Sequence, residues 1–168
     1  MRKFYNSILF FTLLIITTTS HSFDQQINKV MEYFLENKSL SLEDSLENKE
    51  YNSHIALEYY TATRCFGLYK NLFLKAHFAN GKEIAQKYMD ISAAPHNVIS
   101  QIIADKKGIE NPKKRDDPNF KKVVSEILVD TGKWERHYRK LIVFNNGQFS
   151  FSGTATKDKN FCENIKFN

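Results

Sequence analysis

Residues 53–79 read SHIALEYYTATRCFGLYKNLFLKAHFA, and the spacing of the apolar residues in this stretch decides the fold. They recur in steps of four and three without a break, at Ile55, Tyr59, Ala62, Phe66, Tyr69, Phe73 and Ala76. Because an α-helix has 3.6 residues per turn, this spacing places all of them on one face of a long helix. Cys65 lies in the middle of this helix at the edge of its buried face, and Asn80-Gly81 supplies a left-handed end.

A second long helix is predicted to begin at Pro118. Its apolar face repeats the same four-three spacing, at Phe120, Val124, Ile127, Thr131, Trp134, Tyr138 and Leu141. Gly132 is a weak point, since glycine costs about 1 kcal/mol relative to alanine in a helix interior. Two long helices with such faces are expected to pack together at the shallow crossing angles of helix bundles.

Shorter helices are predicted between the two long ones. Helical spacing resumes after Asn80-Gly81 and breaks at Ala94–His96, because Pro95 fits only the first turn of a new helix. This new helix is expected to end at Gly108. Residues 108–119 (GIENPKKRDDPN) contain two prolines and no apolar periodicity, which predicts an exposed loop.

Residues 141–152 allow two interpretations. In the first, the second long helix continues to Phe144, Gly147 forms its C-cap and an extended tail follows. In the second, Asn146-Gly147 is the turn of a β-hairpin. The unbroken helical face before this point favours the helix and tail. Asp158 is then expected to cap a short final helix that carries Cys162.

The N-terminus has the three regions of a secretory signal peptide. It begins with Arg2 and Lys3, continues with an apolar run over residues 8–16, and ends with the small residues Ser20 and Ser22. We expect residues 1–22 to be removed after export. The competing interpretation is an uncleaved anchor, but a membrane-spanning helix needs roughly 20 apolar residues and this run is shorter. No later stretch approaches a membrane span.

The mature chain is predicted to be one helical domain over residues 23–168. Asp24 is the expected N-cap of its first helix, which precedes a polar, acidic connection over residues 39–51. Because Arg2 and Lys3 leave with the signal, the net charge falls from +5 to +3. A charge this small does not indicate nucleic-acid binding.

Cys65 and Cys162 are the two cysteines of the chain. An even cysteine count behind an export signal predicts a disulfide between them. Closing a loop of roughly 100 residues contributes about 4–5 kcal/mol in the chain-entropy model. A redox-active pair is normally close in sequence, as in Cys-x-x-Cys, so we predict a structural bond. The predicted fold class is therefore all-α: a single-domain bundle of about four to five helices, with an extended C-terminal tail and a short last helix tied back by one disulfide.

Few residues suggest chemistry. His54 and Glu58 are one helical turn apart, as two metal ligands would be, but no third ligand matches them. The run 133–140 (KWERHYRK) mixes basic and aromatic residues as nucleic-acid surfaces do, yet Trp134 and Tyr138 belong to the buried face. No hydrolase elbow, phosphate loop or haem-attachment motif occurs. We therefore assign no catalytic, cofactor-binding or metal-binding residue.

Three hypotheses about function follow. The first is a non-enzymatic periplasmic or secreted module that binds a protein or another envelope component; Tyr51, Tyr60 and Phe78 lie off the buried faces and would form an exposed patch for it. The second is a helical bundle that encloses a small apolar ligand. The third is an enzyme whose site gathers His54, His96 or His137 with carboxylates.

The architecture itself carries one general resemblance. A signal peptide followed by a helical domain with one long-range disulfide is similar to several unrelated sets of small bacterial periplasmic proteins. Among them are immunity proteins that block secreted cell-wall amidases, which implies an inhibitor-type role as a variant of the first hypothesis. No residue is carried over from this likeness.

Overall fold

A computed structural model describes residues 29–33, 36–37, 40–42, 46, 54–112 and 116–167. The predicted signal peptide, the Asp24 cap and Tyr51 lie outside these residues. The elements in chain order are α1 (His54–Phe78), α2 (Lys82–Ile91), α3 (Ala93–Lys107), α4 (Phe120–Leu141), β1 (Ile142–Asn145), β2 (Gln148–Phe151) and α5 (Ala155–Asn164). The prediction of a mostly helical bundle with a short last helix is confirmed.

α1 is the central helix, and α2, α3, α4, α5 and β1 all pack against it. It is consequently buried on more than the one predicted face. Tyr60, expected at the surface, is fully buried, whereas Ile55 on the predicted face is 45% exposed. A helix surrounded by neighbours buries most of its circumference, so the buried surface of α1 is wider than the single apolar face that its sequence predicts.

α1 and α4 meet closely at Gly67. A Cβ atom at this position would lie 2.6 Å from the Cβ of Trp134 and 3.0 Å from both the Glu135 amide nitrogen and the Thr131 carbonyl oxygen. Such distances are shorter than van der Waals contact, so any side chain would force the two helices apart. Glycine is therefore required here by packing.

The turns between α1, α2 and α3 follow the predicted scheme with one shift. α1 is followed by Asn80 with a φ of 61°, and α3 is followed by Gly108 with a φ of 61°, both in the left-handed region. The break predicted at Ala94–His96 lies slightly earlier, at Ser92 between α2 and α3. Pro95 accordingly stands in the first turn of α3, where its missing N–H has no consequence.

A β-hairpin replaces the predicted helix extension and tail, so the favoured interpretation of residues 141–152 was wrong. α4 ends at Leu141 rather than Phe144, and β1 pairs with β2 in antiparallel register. Asn146 and Gly147 have φ values of 49° and 76°, as a two-residue hairpin turn with two left-handed positions requires. One hairpin face buries Ile142 and packs Phe149 against Tyr88 of α2.

The C-terminal helix α5 is tied to α1 by the predicted disulfide. Cys65 and Cys162 are bonded with a Cα–Cα distance of 5.6 Å and a sequence separation of 97 residues. The role predicted for Asp158 was wrong: Thr154 is the N-cap residue of α5, and Asp158 lies inside the helix with its side chain fully buried. Within the described ranges, no helix has the length and apolar character needed to cross a membrane.

Substitution by alanine is expected to change the free energy of unfolding in opposite directions at Gly67 of α1 and at Gly132 of α4. Gly67→Ala should lower the free energy of unfolding by about 1–3 kcal/mol, because the methyl group overpacks the crossing. Gly132→Ala should raise it by up to about 1 kcal/mol, because its Cβ would meet only the mobile end of Arg136, at 3.4 Å. Urea unfolding followed by circular dichroism measures both. Equal signs would contradict the close approach at Gly67.

Candidate functional site

The most concentrated chemistry in the fold is a buried ion pair between Arg64 of α1 and Asp158 of α5. Both side chains are fully buried. Nη2 and Nε of Arg64 donate hydrogen bonds to Oδ2 of Asp158 at 2.6 Å and 3.0 Å. A charge removed from water is very costly unless it is paired and hydrogen-bonded, so each residue requires the other.

Two tyrosines complete the hydrogen bonding of this pair. The Tyr138 hydroxyl of α4 donates to Oδ2 of Asp158 at 2.6 Å and accepts from Nε of Arg64 at 3.1 Å. Nη1 of Arg64 donates to the Tyr60 hydroxyl. The indole ring of Trp134 lies 4.6 Å from the guanidinium carbon, within the range of a cation–π contact.

The pair also binds the backbone of a segment near the N-terminus. Nη2 of Arg64 donates to the Leu40 carbonyl oxygen at 2.7 Å, and the Leu42 amide donates to Oδ1 of Asp158 at 2.6 Å. We call Arg64, Asp158, Tyr60 and Tyr138 the polar junction. It joins α1, α4, α5 and residues 40–42 at one buried point.

The electrostatics of the polar junction favour a structural role. Burial raises the pKa of Tyr138 well above its usual value, and the charge of Asp158 acts in the same direction against the opposing effect of Arg64. The Tyr138 hydroxyl therefore keeps its proton and remains a donor to Asp158. Burial alone would lower the pKa of Arg64, but Tyr138, Tyr60 and Asp158 together raise it, so the guanidinium stays charged.

The disulfide lies beside the polar junction. Cys65 follows Arg64 directly, and Cys162 is one helical turn after Asp158 on the same side of α5. Both cysteines are buried, at 0% and 3% exposure. The ion pair and the disulfide thus hold two successive turns of α5 against one turn of α1.

The histidines and carboxylates considered from the sequence are spread over different elements. His54 is exposed at the start of α1 and Glu58 is partly exposed, as predicted for solvent-facing residues. His96 packs its ring against Phe66 at 5.4 Å, and His137 lies 3.3 Å from the Thr154 hydroxyl. In the described part of the chain, no group of three or more histidine, cysteine or acidic residues is arranged to hold a metal ion.

The basic and aromatic run of residues 133–140 is divided between core and surface. Trp134 and Tyr138 are fully buried, as predicted, while Arg136 and Lys140 are exposed. Glu135, which lies between Trp134 and Arg136 in the sequence, is largely buried. The aromatic rings of this run are consequently not available to stack with bases, as nucleic-acid recognition would require.

The exposed aromatic patch predicted from Tyr51, Tyr60 and Phe78 does not form as such. Tyr60 belongs to the polar junction, whereas Phe78 is 80% exposed at the end of α1. Other large apolar side chains are exposed instead, at Ile55, Met89, Leu128, Val129 and Val143. Leu128 and Val129 lie off the predicted buried face of α4, so their exposure follows from its periodicity, whereas Ile55 was predicted to be buried.

Sequence reasoning missed Arg64 as a residue of interest. The available signal was its position, because an arginine in the middle of a run of apolar and small residues needs a buried partner. No protein-family model, curated protein or solved structure matches this chain. The partner of Arg64 is therefore identified by the three-dimensional structure alone.

The polar junction predicts a large loss of stability on removal of one charge. Asp158→Asn leaves Arg64 buried without a counter-charge and should cost about 3–5 kcal/mol of unfolding free energy. Glu163→Gln is the matched control on α5, because its 2.6 Å pair with Lys159 lies at the surface and should contribute about 0–1 kcal/mol. Urea unfolding of the oxidised protein measures both. Similar losses for the two variants would contradict a buried ion pair.

His96 predicts a loss of stability at acid pH. Burial against Phe66 lowers the pKa of His96 below its ordinary value of 6.5. The folded state therefore favours the neutral ring, so this contribution is present above pH 6.5 and is lost as the pH falls through the folded pKa. Unfolding free energies from about pH 7.5 to about pH 5 should fall less steeply in His96→Leu than in the wild type. An unchanged slope would exclude this contribution.

Proposed function

We propose that this protein is an exported, disulfide-bonded module, periplasmic or secreted, that acts by binding a partner protein and not by catalysis. The observation that carries the proposal is the outer face of α4. The exposed residues of this helix are Lys121, Lys122, Ser125, Leu128, Val129, Arg136, Arg139 and Lys140. At 3.6 residues per turn they occupy about one third of the helix circumference. We call this set the outer face of α4.

Two of the three acidic residues of α4, Glu126 and Asp130, bind residues of α3 and α1 away from the outer face. Glu126 binds Lys106 and Lys107 of α3 at 2.8 Å and 2.7 Å, and Asp130 accepts a hydrogen bond from Tyr59 of α1 at 2.8 Å. Burial would raise the pKa of Glu126, but hydrogen bonds and charge from the two lysines lower it, so it stays ionised in these pairs.

The third acid of α4, Glu135, is 8% exposed and binds Arg139 at 2.6 Å and Lys70 at 3.7 Å. The exposed set therefore contains basic, aliphatic and serine side chains but no carboxylate. An ordinary solvated helix face exposes both charge signs, whereas on α4 the carboxylate of Glu135, which pairs with Arg139, is itself largely buried. Leu128 and Val129, exposed at 52% and 61%, lie near its centre. An apolar centre within a polar rim is the usual composition of a protein-binding surface.

The frame behind the outer face supports binding by a preformed surface. α4 is held to α1 by the close contact at Gly67 and by Tyr138 in the polar junction. A surface that is already ordered loses less conformational entropy on association. The buried disulfide fits an oxidising compartment outside the cytoplasm, which supports export together with the predicted signal peptide.

A crosslinking scan in the native cells tests the proposal. The photoreactive amino acid p-benzoylphenylalanine replaces Val129 of α4, Met89 of α2 or Phe78 of α1 in the full-length chain. We expect irradiation to give a discrete protein adduct from at least one of these exposed positions. Samples without irradiation are the control. Absence of any adduct from all three positions would contradict a binding module.

The same cells test export. The mature chain should begin at Phe23 in intact-mass measurements, and thiol labelling under denaturing, non-reducing conditions should find no free cysteine. A full-length chain with two free thiols would refute export while leaving the crosslinking result interpretable.

A further inference from the structure

We infer that the outer edge of strand β2 pairs with the same strand of a second copy of this chain, so that two hairpins join into one four-stranded sheet. This inference goes beyond the proposed function, because it adds a self-association site that does not involve the outer face of α4. It depends on the direction of the backbone groups of β2, on the composition of the hairpin and on the place of β2 in the fold.

The backbone of β2 has polar groups that point away from β1. In a hairpin with a two-residue turn, the residues that flank the turn form a hydrogen-bonded pair, and such pairs alternate with pairs that are not hydrogen-bonded. Gln148 flanks the turn, so Phe149 and Phe151 belong to the second kind. The bond from the Ser152 amide to the Leu141 carbonyl oxygen, at 2.8 Å, continues this alternation. The N–H and C=O groups of Phe149 and Phe151 are therefore directed outward.

β2 is the more open edge of this small sheet. β1 lies against α1 and α4, whereas β2 packs mainly against β1. The edge of β1 is partly occupied, since the Ile142 amide donates to the Tyr138 carbonyl oxygen of α4. Among the residues that the structure describes, none bonds the outward backbone groups of Phe149 and Phe151. Such a row of unpaired groups is a template for pairing with another strand.

The composition of the hairpin does not protect this edge. Natural proteins usually blunt a free edge with charged residues, proline or a bulge. Residues 142–152 (IVFNNGQFSFS) contain no charged residue and no proline, in a chain in which 26% of the residues are charged. The pairing of β1 with β2 is also regular, without a bulge. The edge is thus compatible with strand addition.

A second copy fits this edge because β2 is complementary to itself. When two β2 strands run antiparallel about a two-fold axis at Ser150, Phe149 of one copy lies opposite Phe151 of the other. Each of these pairs exchanges both N–H···O bonds, so every outward group of the edge finds a partner. Ser150 then faces Ser150 of the second copy, and Gln148 faces Ser152. No like charges meet on the strands, where they would be destabilising.

The side chains at this edge also favour an apolar neighbour. Phe149 and Phe151 lie on the inner face of the hairpin but remain partly exposed, and Phe149 packs against Tyr88 with ring centroids 5.5 Å apart. Phenylalanine rings of the second copy would cover these exposed parts as cross-strand aromatic pairs. The ammonium group of Lys159 lies 5.8 Å from the Phe151 ring but is paired with Glu163 at 2.6 Å, so it adds no unpaired charge.

The expected dimer is weak. β2 has four residues, which places the interface among small ones, below roughly 1,200 Å² of total buried area. Interfaces of this size form transient complexes, so we expect the dimer to be populated at protein concentrations on the order of 100 µM.

Disulfide trapping tests the register. Ser150→Cys places two thiols in a pair that is not hydrogen-bonded, where facing Cα atoms are about 4.5 Å apart and a disulfide can form. Val143→Cys is the matched control, because Val143 is exposed and lies opposite Ser150 on the same face of the hairpin. In the dimer it would be about 14 Å from its copy, which is three strand spacings. Under mild oxidation of the purified protein, we expect a covalent dimer from Ser150→Cys at about tenfold higher yield.

A charge exchange tests the same contact without a crosslink. Ser150→Lys places two lysines opposite each other and should raise the dissociation constant about tenfold in sedimentation equilibrium. Val143→Lys, with the same change in net charge, should associate as the wild type does. Ser150→Lys mixed with Ser150→Glu should restore the dimer, because opposite charges then face each other. Restoration also shows that the two variants are folded.

Other outcomes would overturn this inference and leave the α4 surface and its crosslinks unaffected. A wild-type protein that is monomeric and gives no trapped Ser150→Cys dimer would exclude self-association. A dimer that is equally stable in Ser150→Lys would place the interface elsewhere. Slow hydrogen exchange of the Phe149 and Phe151 amides in the dilute monomer would show that the edge is already covered. Trapping of Ser150→Cys on a different protein in the native cells, without a covalent dimer, would assign the edge to an extended segment of that protein.

Discussion

The ion pair between Arg64 and Asp158 is the interaction on which the rest of the structure depends. Neither charge tolerates burial alone, and together they bring the middle of α1, the last helix and residues 40–42 to one point. The Tyr138 hydroxyl adds α4 to the same point. Segments that are far apart in the sequence are thereby fixed relative to each other by directional hydrogen bonds, which apolar packing alone does not provide.

Periodicity and cysteine count predicted much of this fold, because both signals are local or unambiguous. The helix expected over 53–79 is α1, and with two cysteines the disulfide had one pairing. The hairpin was the less favoured of two interpretations, and the inward orientation of Asp158 and the close contact at Gly67 were not predicted. Each depends on a residue distant in the chain: Tyr88 beneath Phe149, Arg64 opposite Asp158, and Trp134 against Gly67.

The candidate binding face was predictable only in part. The amphipathic character of α4 is evident in its sequence, and so is the unfavourable glycine at position 132. Whether Glu126, Asp130 and Glu135 neutralise the neighbouring lysines and arginines depends on the side of the helix they occupy and on the partners they meet. Glu126 meets lysines of α3 and Asp130 meets Tyr59 of α1, while Glu135 pairs with Lys70 of α1 and with Arg139 of α4 itself, so the absence of carboxylates from the exposed residues of α4 depends largely on tertiary structure.

The position of the disulfide affects how the protein responds to proteolytic cleavage. The bond between Cys65 and Cys162 makes one covalent ring of everything from the second half of α1 to α5, including the connection between α3 and α4. A single cleavage of the backbone within that connection opens the ring, but the two resulting fragments remain linked by the disulfide. The fragments stay joined through the core, where the outer face of α4 keeps its support from α1.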